Sequence, residues 1–312
     1  MIYRLIARFV VMLFLASVII FVLLRAIPGD PARIALGVTA TEDAVAELST
    51  RLGTDRPLIS QYFDWIGGLL TGDFGISLAS QQDITPLVLD RAAVSFILCI
   101  AAMVVSLAIA VPLGIYLARH NGKRRAEFLS ALTQVGIAVP SFLVGILLVA
   151  VFAVGLGWLP ANGWVPPGYD FGQFAARLVL PVIALSLVQA AILTRYVRSA
   201  ILEELGKDYI RTARAMGSSR SEVLYRHALR NAALPVLTVT GLQLTSLIVG
   251  AVVIERVFVI PGLGSMLIDA VANRDLTTVQ TVMMLLVVFT LVINFFVDLA
   301  YRVLDPRLKG QA

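Results

Sequence analysis

From Ala92 to Ala118 the chain carries no charged side chain, and from Leu276 to Val297 it again carries none. A helix needs roughly 20 predominantly apolar residues to cross the hydrocarbon core of a bilayer, and both stretches reach that length. Four further apolar runs complete a set of six: Phe9 to Ile27, Ala131 to Gly157, Leu178 to Tyr196 and Ala232 to Ile254. The charge-free runs lie within spans read as Val94 to Ala118 and Val279 to Asp298. The fourth run is the shortest, because Arg177 and Arg195 bound its uncharged window. Apolar residues form 59% of the 312 and charged residues 14%, against roughly 25% charged in an average soluble domain. Such a chain cannot hide its apolar surface and still show water a charged exterior. The reading is an all-α polytopic membrane protein with six spans.

Orientation follows from the Lys and Arg bias of the connecting segments. With the N-terminus inside, the inner segments carry most of the 25 basic residues, including Arg119, Lys123, Arg124, Arg125 and the tail residues Arg307 and Lys309. Both termini are therefore expected in the cytoplasm. The first span is longer than a secretory h-region and no clear small-x-small site follows it, so it is expected to remain as a helix.

Two connecting segments are too long to be mere links. The outer one, from Pro28 to Arg91, is acidic from Asp30 through Asp90. Thr41 is placed to cap a helix over Glu42–Leu52 and Gly53 to end it. Pro57 then opens a second helix with Leu58, Ile59, Tyr62, Phe63, Ile66, Leu69 and Leu70 apolar and Trp65 beside them. Aromatic-rich amphipathic pieces of this kind lie at the headgroup boundary; this one either packs the outer rim or meets an external delivery protein.

The inner segment from Arg198 to Ala232 is polar, basic and helical in pattern. Asp208 is a candidate N-cap for Tyr209–Met216, with Gly217 just past the helix end. Ser219 and Glu222 have capping-box spacing and open another helix through Val223, Leu224, His227 and Ala228. A helix–glycine–helix projecting from the membrane has little reason to persist unless something packs on it. Its positive charge by itself is accounted for by the inside bias.

The residues for independent chemistry are missing. His120 and His227 have no acidic or Cys neighbours at metal-ligand spacing, and Cys99 is alone. Gly122-Lys123 and Gly206-Lys207 lack the rest of a phosphate loop, so the chain is not expected to hydrolyse ATP or to bind a cofactor itself. Neutral polar groups dot the spans, among them Ser141, Ser186, Gln189, Gln243 and Ser246. Hydroxyls there commonly bond back to their own helix, whereas Gln189 and Gln243 suit either a pathway or an interhelical hydrogen bond. A secondary carrier needs relay charges or an inverted repeat, and a membrane enzyme needs a buried nucleophile–base pair. Neither pattern is visible, so the energy must come from another protein.

The stretch DYIRTARAMGSSRSEVLYRHALRNAALP, Asp208 to Pro235, resembles the ATPase-docking loop of inner-membrane permeases in the peptide/nickel branch of ABC importers, the dipeptide- and oligopeptide-permease B type. Supporting stretches occur in order: FVLLRAIPGDP (Phe21–Pro31), LGTDRPL (Leu52–Leu58), VPSF (Val139–Phe142), LGWLP (Leu156–Pro160), VFVIPGLG (Val257–Gly264) and LDPRLK (Leu304–Lys309). Against the general docking motif E-A-A-x-x-x-G, Arg211 stands at the Glu, Thr212 and Ala213 at the alanines and Gly217 at the glycine.

The resemblance implies a type I ABC importer permease fold. Residues 1–93 would form the first span and its outer loop, 94–304 a five-helix core with a coupling loop at 198–232, and 305–312 a tail. It implies that Asp208, Tyr209, Arg211, Thr212, Ala213, Arg214, Ala215, Met216 and Gly217, with Ser219, Glu222 and His227, form the surface that meets the ATPase. Arg211 and Arg214 would supply polar contacts, and Ala213 and Gly217 would permit close approach. It further implies a second related permease, one or two ATPases that consume ATP and Mg, an extracytoplasmic binding (lipo)protein and no nucleic-acid partner, in a bacterial inner membrane. Di- and oligopeptides head the expected cargo, with nickel, haem or sugar-like cargo carried by similar relatives.

Overall fold

The computed structural model describes residues 2–26, 31–37 and 40–304. Asp30, the end of the first expected span at Ile27 and the tail beyond Leu304 lie outside the described residues. The elements are α1 (Ile2–Arg25), α2 (Pro31–Leu36), α3 (Glu42–Leu52), α4 (Leu58–Thr71), α5 (Thr85–Arg119), α6 (Arg124–Ala138), α7 (Ser141–Leu148), α8 (Phe171–Leu205), α9 (Asp208–Ala215), α10 (Arg220–Glu222), α11 (Leu229–Val257), α12 (Leu263–Ala272) and α13 (Leu276–Leu304). Two π-helical segments, Val149–Gly155 and Val223–Ala228, continue α7 and join α10 to α11. Among the described residues the β-structure is one antiparallel bridge, Ile76 to Asp83.

Among the described residues five helices are long and apolar enough to cross a membrane, and the pair Arg124–Ala138 and Ser141–Gly155, bent by 98°, makes a sixth if counted as one span. The expected straight third span is thus broken. The cause is local: Val139 precedes Pro140 and is extended, at φ −88° and ψ 123°, as pre-proline residues tend to be. The fourth span also differs. It extends to 35 residues, with 56% of its apolar window buried against 22% for α1. Asp170 caps it by accepting from the Gln173 amide at 3.0 Å, and the Arg177 guanidinium donates to the Asn162 carbonyl, so a flanking charge does not end the helix. At 1.5 Å per residue α8 is about 50 Å long, well beyond a core of about 30 Å.

The chain forms two compact units. The first comprises Met1–Ser95 and Pro261–Val292. Here Thr41 caps α3 through the Ala44 amide, and Gly53 ends it at φ +67°, as the sequence indicates. Within α4 the apolar residues divide. Tyr62 and Trp65 meet Phe21 of α1 at ring separations of 5.4 and 6.2 Å, and the Tyr62 and Ser17 hydroxyls are 2.8 Å apart. Leu58, Ile59, Phe63 and Leu70 instead face outward. The loop after α4 is fastened by the buried Asp275 carboxylate, which accepts from the Ser77 hydroxyl at 2.5 Å, the Leu78 amide at 3.0 Å and the Thr278 hydroxyl at 2.7 Å.

The second unit comprises Phe96–Ile260 and Ile293–Ala312. Its centre is α8, packed against α6, α7 and α11. On the α5 side Gly114 lets the helices approach, since a Cβ there would lie 2.5 Å from the Val197 side chain; small residues serve this purpose in membranes. A further apolar cluster joins Ala118, Val197, Ile201, Leu224, Ala228 and Ala232.

Candidate functional site

The polar segment between α8 and α11 folds as a short helix bonded to the end of one long helix and the start of the other. Lys207 occupies the N-cap position without a side-chain capping bond, and α9 begins at Asp208. The expected cap is therefore one residue into the helix, where its carboxylate still favours the positive end of the dipole. Arg211 reaches Asp208 at 3.2 Å with both side chains largely exposed, a pair contributing about 0–1 kcal/mol.

At the far end the Gly217 amide donates to the Arg214 carbonyl and the Ser218 amide to that of Ala213, both at 3.1 Å. Gly217 sits at φ +99°, a left-handed conformation that L side chains resist. Ser219 accepts from the Glu222 amide at 3.1 Å, so the expected cap is present. Glu222 faces Arg226 at 3.6 Å. The helix begun at Arg220 runs on through the π-helical turn into α11, and its membrane-crossing stretch is continuous from Arg220 to Val257.

The loop has two faces. Ile210 and Ala213 are buried with Val223 and packed on Leu205, so Ala213 fixes α9 to its own chain. Arg211, Thr212, Arg214, Ala215, Met216 and Gly217 are exposed, Met216 at 79%. An exposed methionine flanked by two guanidinium groups offers a soft apolar knob within a polar rim, a composition common at interfaces. His227 is half-buried on the following turn.

Beneath α9 lies a node that the sequence did not reveal. The Tyr209 hydroxyl donates to Glu204 Oε2 at 2.5 Å, and the Asn231 amide donates to Tyr209 Oη at 2.9 Å. The Lys207 ammonium pairs with the same Glu204, whose side chain is only 10% exposed. Burial, and then the bond to Glu204, raise the Tyr209 phenol above its ordinary pKa, so it stays a donor at neutral pH. The bond to Glu204 likewise raises Lys207. The end of α8, the start of α9 and the start of α11 are thereby tied through one carboxylate. The second of two adjacent glutamates, five positions before a tyrosine, is the only trace of this in sequence.

The polar residues of the spans are dispersed. Ser186 is fully buried; its hydroxyl donates to the Ile183 carbonyl at 3.2 Å, while its own carbonyl accepts from Ser106 at 3.2 Å. Gln189 is buried with Oε1 lacking a hydrogen-bond partner. Ser141 is half-buried at the bend after Pro140, Gln243 is half-buried, and Ser246 is exposed. The VFVIPGLG stretch forms the link from α11 to α12 and holds Val259 at φ +53°, a strained position for a β-branched residue. Among the described residues no three of His, Cys, Asp and Glu gather as a metal site.

Comparison with known proteins agrees with this layout. Residues 110–310 match the family described as binding-protein-dependent transport system inner membrane component, and residues 1–99 match its N-terminal counterpart. A probable peptide ABC transporter permease of Sinorhizobium fredii is 37% identical over 306 residues, covering 98% of this chain and 97% of that one. A di/tripeptide transport system permease of Pseudomonas aeruginosa is 36% identical, covering 95% and 94%. An oligopeptide transport system permease of Bacillus subtilis is 33% identical, covering 94% of each. Among solved structures, an inward-facing methionine ABC transporter superposes with TM-score 0.60 at 19% identity, covering 71% of this chain and 98% of that one. A continuous match to the family over 110–310, on a chain that carries six apolar spans and a projecting helical loop, settles its class: the chain belongs to the inner-membrane components of binding-protein-dependent transport systems, the non-catalytic permease subunits of ABC importers.

Proposed function

We propose that this permease forms one half of an ATP-driven import pathway for di- and oligopeptides and that the α9 loop is where an ATPase drives it. The observation that carries the reading is the division of the loop into an exposed face around Arg211, Arg214 and Met216 and a tethered underside at Ile210, Ala213 and Tyr209. A partner seated on the exposed face moves α9, and the Glu204 node carries that motion into α8 and α11 together. Closure of an ATPase pair then biases the helix bundle between two states. ATP and Mg are used on the partner, and this chain supplies the lever.

The rest of the assembly follows from the same reading. A second related permease completes the pathway, one or two ATPases sit on the cytoplasmic side, and an extracytoplasmic binding lipoprotein delivers cargo. The chain lies in a bacterial cytoplasmic membrane with both termini inside, in keeping with the basic bias of its inner segments. Residues 1–93 form the peripheral span and outer loop and 94–304 the permease core, a division close to the break between the two family matches. Ser141, Ser186, Gln189, Gln243 and Ser246 are the pathway candidates. Peptide cargo rests on the named relatives in Sinorhizobium, Pseudomonas and Bacillus.

The test is purification of the tagged chain from native membranes in mild detergent, with co-purifying chains identified by mass spectrometry. Recovery of a Walker-A ATPase, a second six-span permease and a binding lipoprotein is the expected result. The lipoprotein then yields the cargo directly, by mass spectrometry of what it carries. Recovery of the chain alone even after crosslinking would refute the borrowed-energy reading.

A further inference from the structure

Within the first unit, a cavity of about 340 Å³ is walled by the end of α1, the α3–α4 junction, the loop after α4 and the start of α13. Arg25, Arg51 and Arg56 line it together with Asp64 and Asp73. Both acids are committed. Asp64 pairs with Arg56 at 2.8 Å, and Asp73 accepts from the Gly75 amide at 3.0 Å. Among the described residues neither Arg25 nor Arg51 has an ion-pair partner. The Arg25 guanidinium lies over the Phe21 ring at 5.4 Å, and the three guanidinium groups of the cavity exceed its two carboxylates by one.

Three lining residues also hold a buried polar atom without a hydrogen-bond partner: Arg25 Nε, Trp65 Nε1 and Gln61 Oε1. The Gln61 amide nitrogen donates to the Thr54 and Arg56 carbonyls at 3.0 and 2.7 Å, which fixes its orientation and leaves the oxygen over. Orphan polar atoms are costly in isolation and uncommon, and three of them belong to residues that wall this one cavity. The Arg25 and Arg51 guanidinium groups with the Trp65 indole N–H suit a tetrahedral oxyanion. The single acceptor beside them suits a hydroxyl on the same ligand.

The surroundings say where that ligand comes from. Arg25 ends a membrane-crossing helix, and Leu24 lines the cavity beside it. On α4, Ile59, Phe63 and Leu70 are 72%, 66% and 83% exposed, the face of a helix that lies in a bilayer interface. Trp65 is the residue type that anchors such a depth. We propose that this cavity binds the headgroup of an anionic phospholipid, with Arg25, Arg51 and the Trp65 indole on the phosphodiester and the Gln61 carbonyl on a headgroup hydroxyl. The acyl chains run along α1 and the apolar face of α4. The site is independent of the cargo and of the ATPase.

The experiment uses the intact importer complex in phosphatidylcholine nanodiscs doped with phosphatidylglycerol, followed by native mass spectrometry of the retained lipid. The expected result is phosphatidylglycerol retained about tenfold over phosphatidylcholine, falling to parity in the Arg25→Gln/Arg51→Gln double variant. Trp65→Phe keeps the ring on Phe21 and removes only the N–H, and is expected to lose about threefold in retention. It carries the test by itself should the double variant not assemble. Undiminished retention in Trp65→Phe or in the double variant would overturn the site. Displacement of the lipid by millimolar inorganic phosphate would overturn the lipid as its ligand and assign the same donors to free phosphate.

Discussion

Removing the Tyr209 hydroxyl isolates the Glu204 node from everything else in the loop. Tyr209→Phe keeps the ring and deletes two hydrogen bonds, one to a carboxylate whose side chain is 10% exposed and one from Asn231. A bond to a charged group contributes about 1.5–3 kcal/mol and a neutral one about 0.5–1.5 kcal/mol. Tyr209 is 39% exposed, so water replaces part of both, and about 2 kcal/mol is a fair net loss. The apolar anchor of Ile210 and Ala213 on Val223 remains, worth about 1.5–3 kcal/mol for the isoleucine. The helix therefore stays docked but opens about 30-fold more often. Two measurements follow: amide exchange across Lys207–Gly217, expected to accelerate by about that factor, and peptide delivered per ATP hydrolysed in reconstituted vesicles, expected to fall while ATPase association is kept. Unchanged exchange with an unchanged transport ratio would refute the node as a strut.

Three further substitutions test the parts around it. Gly217→Val places a β-branched residue at φ +99° with nothing within 4 Å of its Cβ; the cost is therefore backbone strain of about 1–3 kcal/mol, and loss of ATPase co-purification with normal membrane insertion is expected. Gly114→Val drives a side chain into Val197, 2.5 Å from the new Cβ, an overpacking cost of about 1–3 kcal/mol that thermal unfolding in detergent will read as a lowered midpoint. Asp275→Ala strips the acceptor from Ser77, Leu78 and Thr278, at about 1–3 kcal/mol for each donor left unpaired; limited proteolysis should then cut faster between Gly72 and Ile84.

The readable parts of this protein are those set by neighbours in sequence. Uncharged apolar length marked six spans, one of them bent in the structure, and cap chemistry placed Thr41, Gly53, Gly217 and Ser219 correctly. The bend after Ala138 was equally local, since Val139 before Pro140 is a pre-proline restriction; it was masked by an apolar run that continues across it. The extent of α8 was hidden for the opposite reason. Arg177 and Arg195 interrupt the hydropathy window, yet long side chains at a span's margin keep their charge in a polar setting without ending the helix. The two carboxylate nodes are different in kind. Asp275 meets Ser77 across 198 positions of chain, and Glu204 gains its meaning only when α9 folds back on it. No periodicity announces either one. The loop's residues, Tyr209 and Ala213 among them, could thus be named from the sequence, while the division into an exposed and a tethered face, and Glu204 and Asn231 beneath it, could not.

The α9 loop is bonded to α11 one turn before a proline. Pro235 lies inside the helix and has no N–H to give the carbonyl four residues back, which belongs to Asn231. Asn231 is also the residue through which α11 grips Tyr209. Under the proposed coupling, force entering from α9 would be applied where the α-helical ladder lacks a rung. Pro235→Ala restores the rung and removes a ring clash, together about 1–3 kcal/mol in favour of a straight helix. The expected outcome is a higher unfolding midpoint, ATPase association within about twofold of the parent and slower peptide uptake at the same ATP turnover. A stabilised variant that transports at the parental rate would show that α11 moves as a rigid rod, and that the compliance of the bundle lies in another helix.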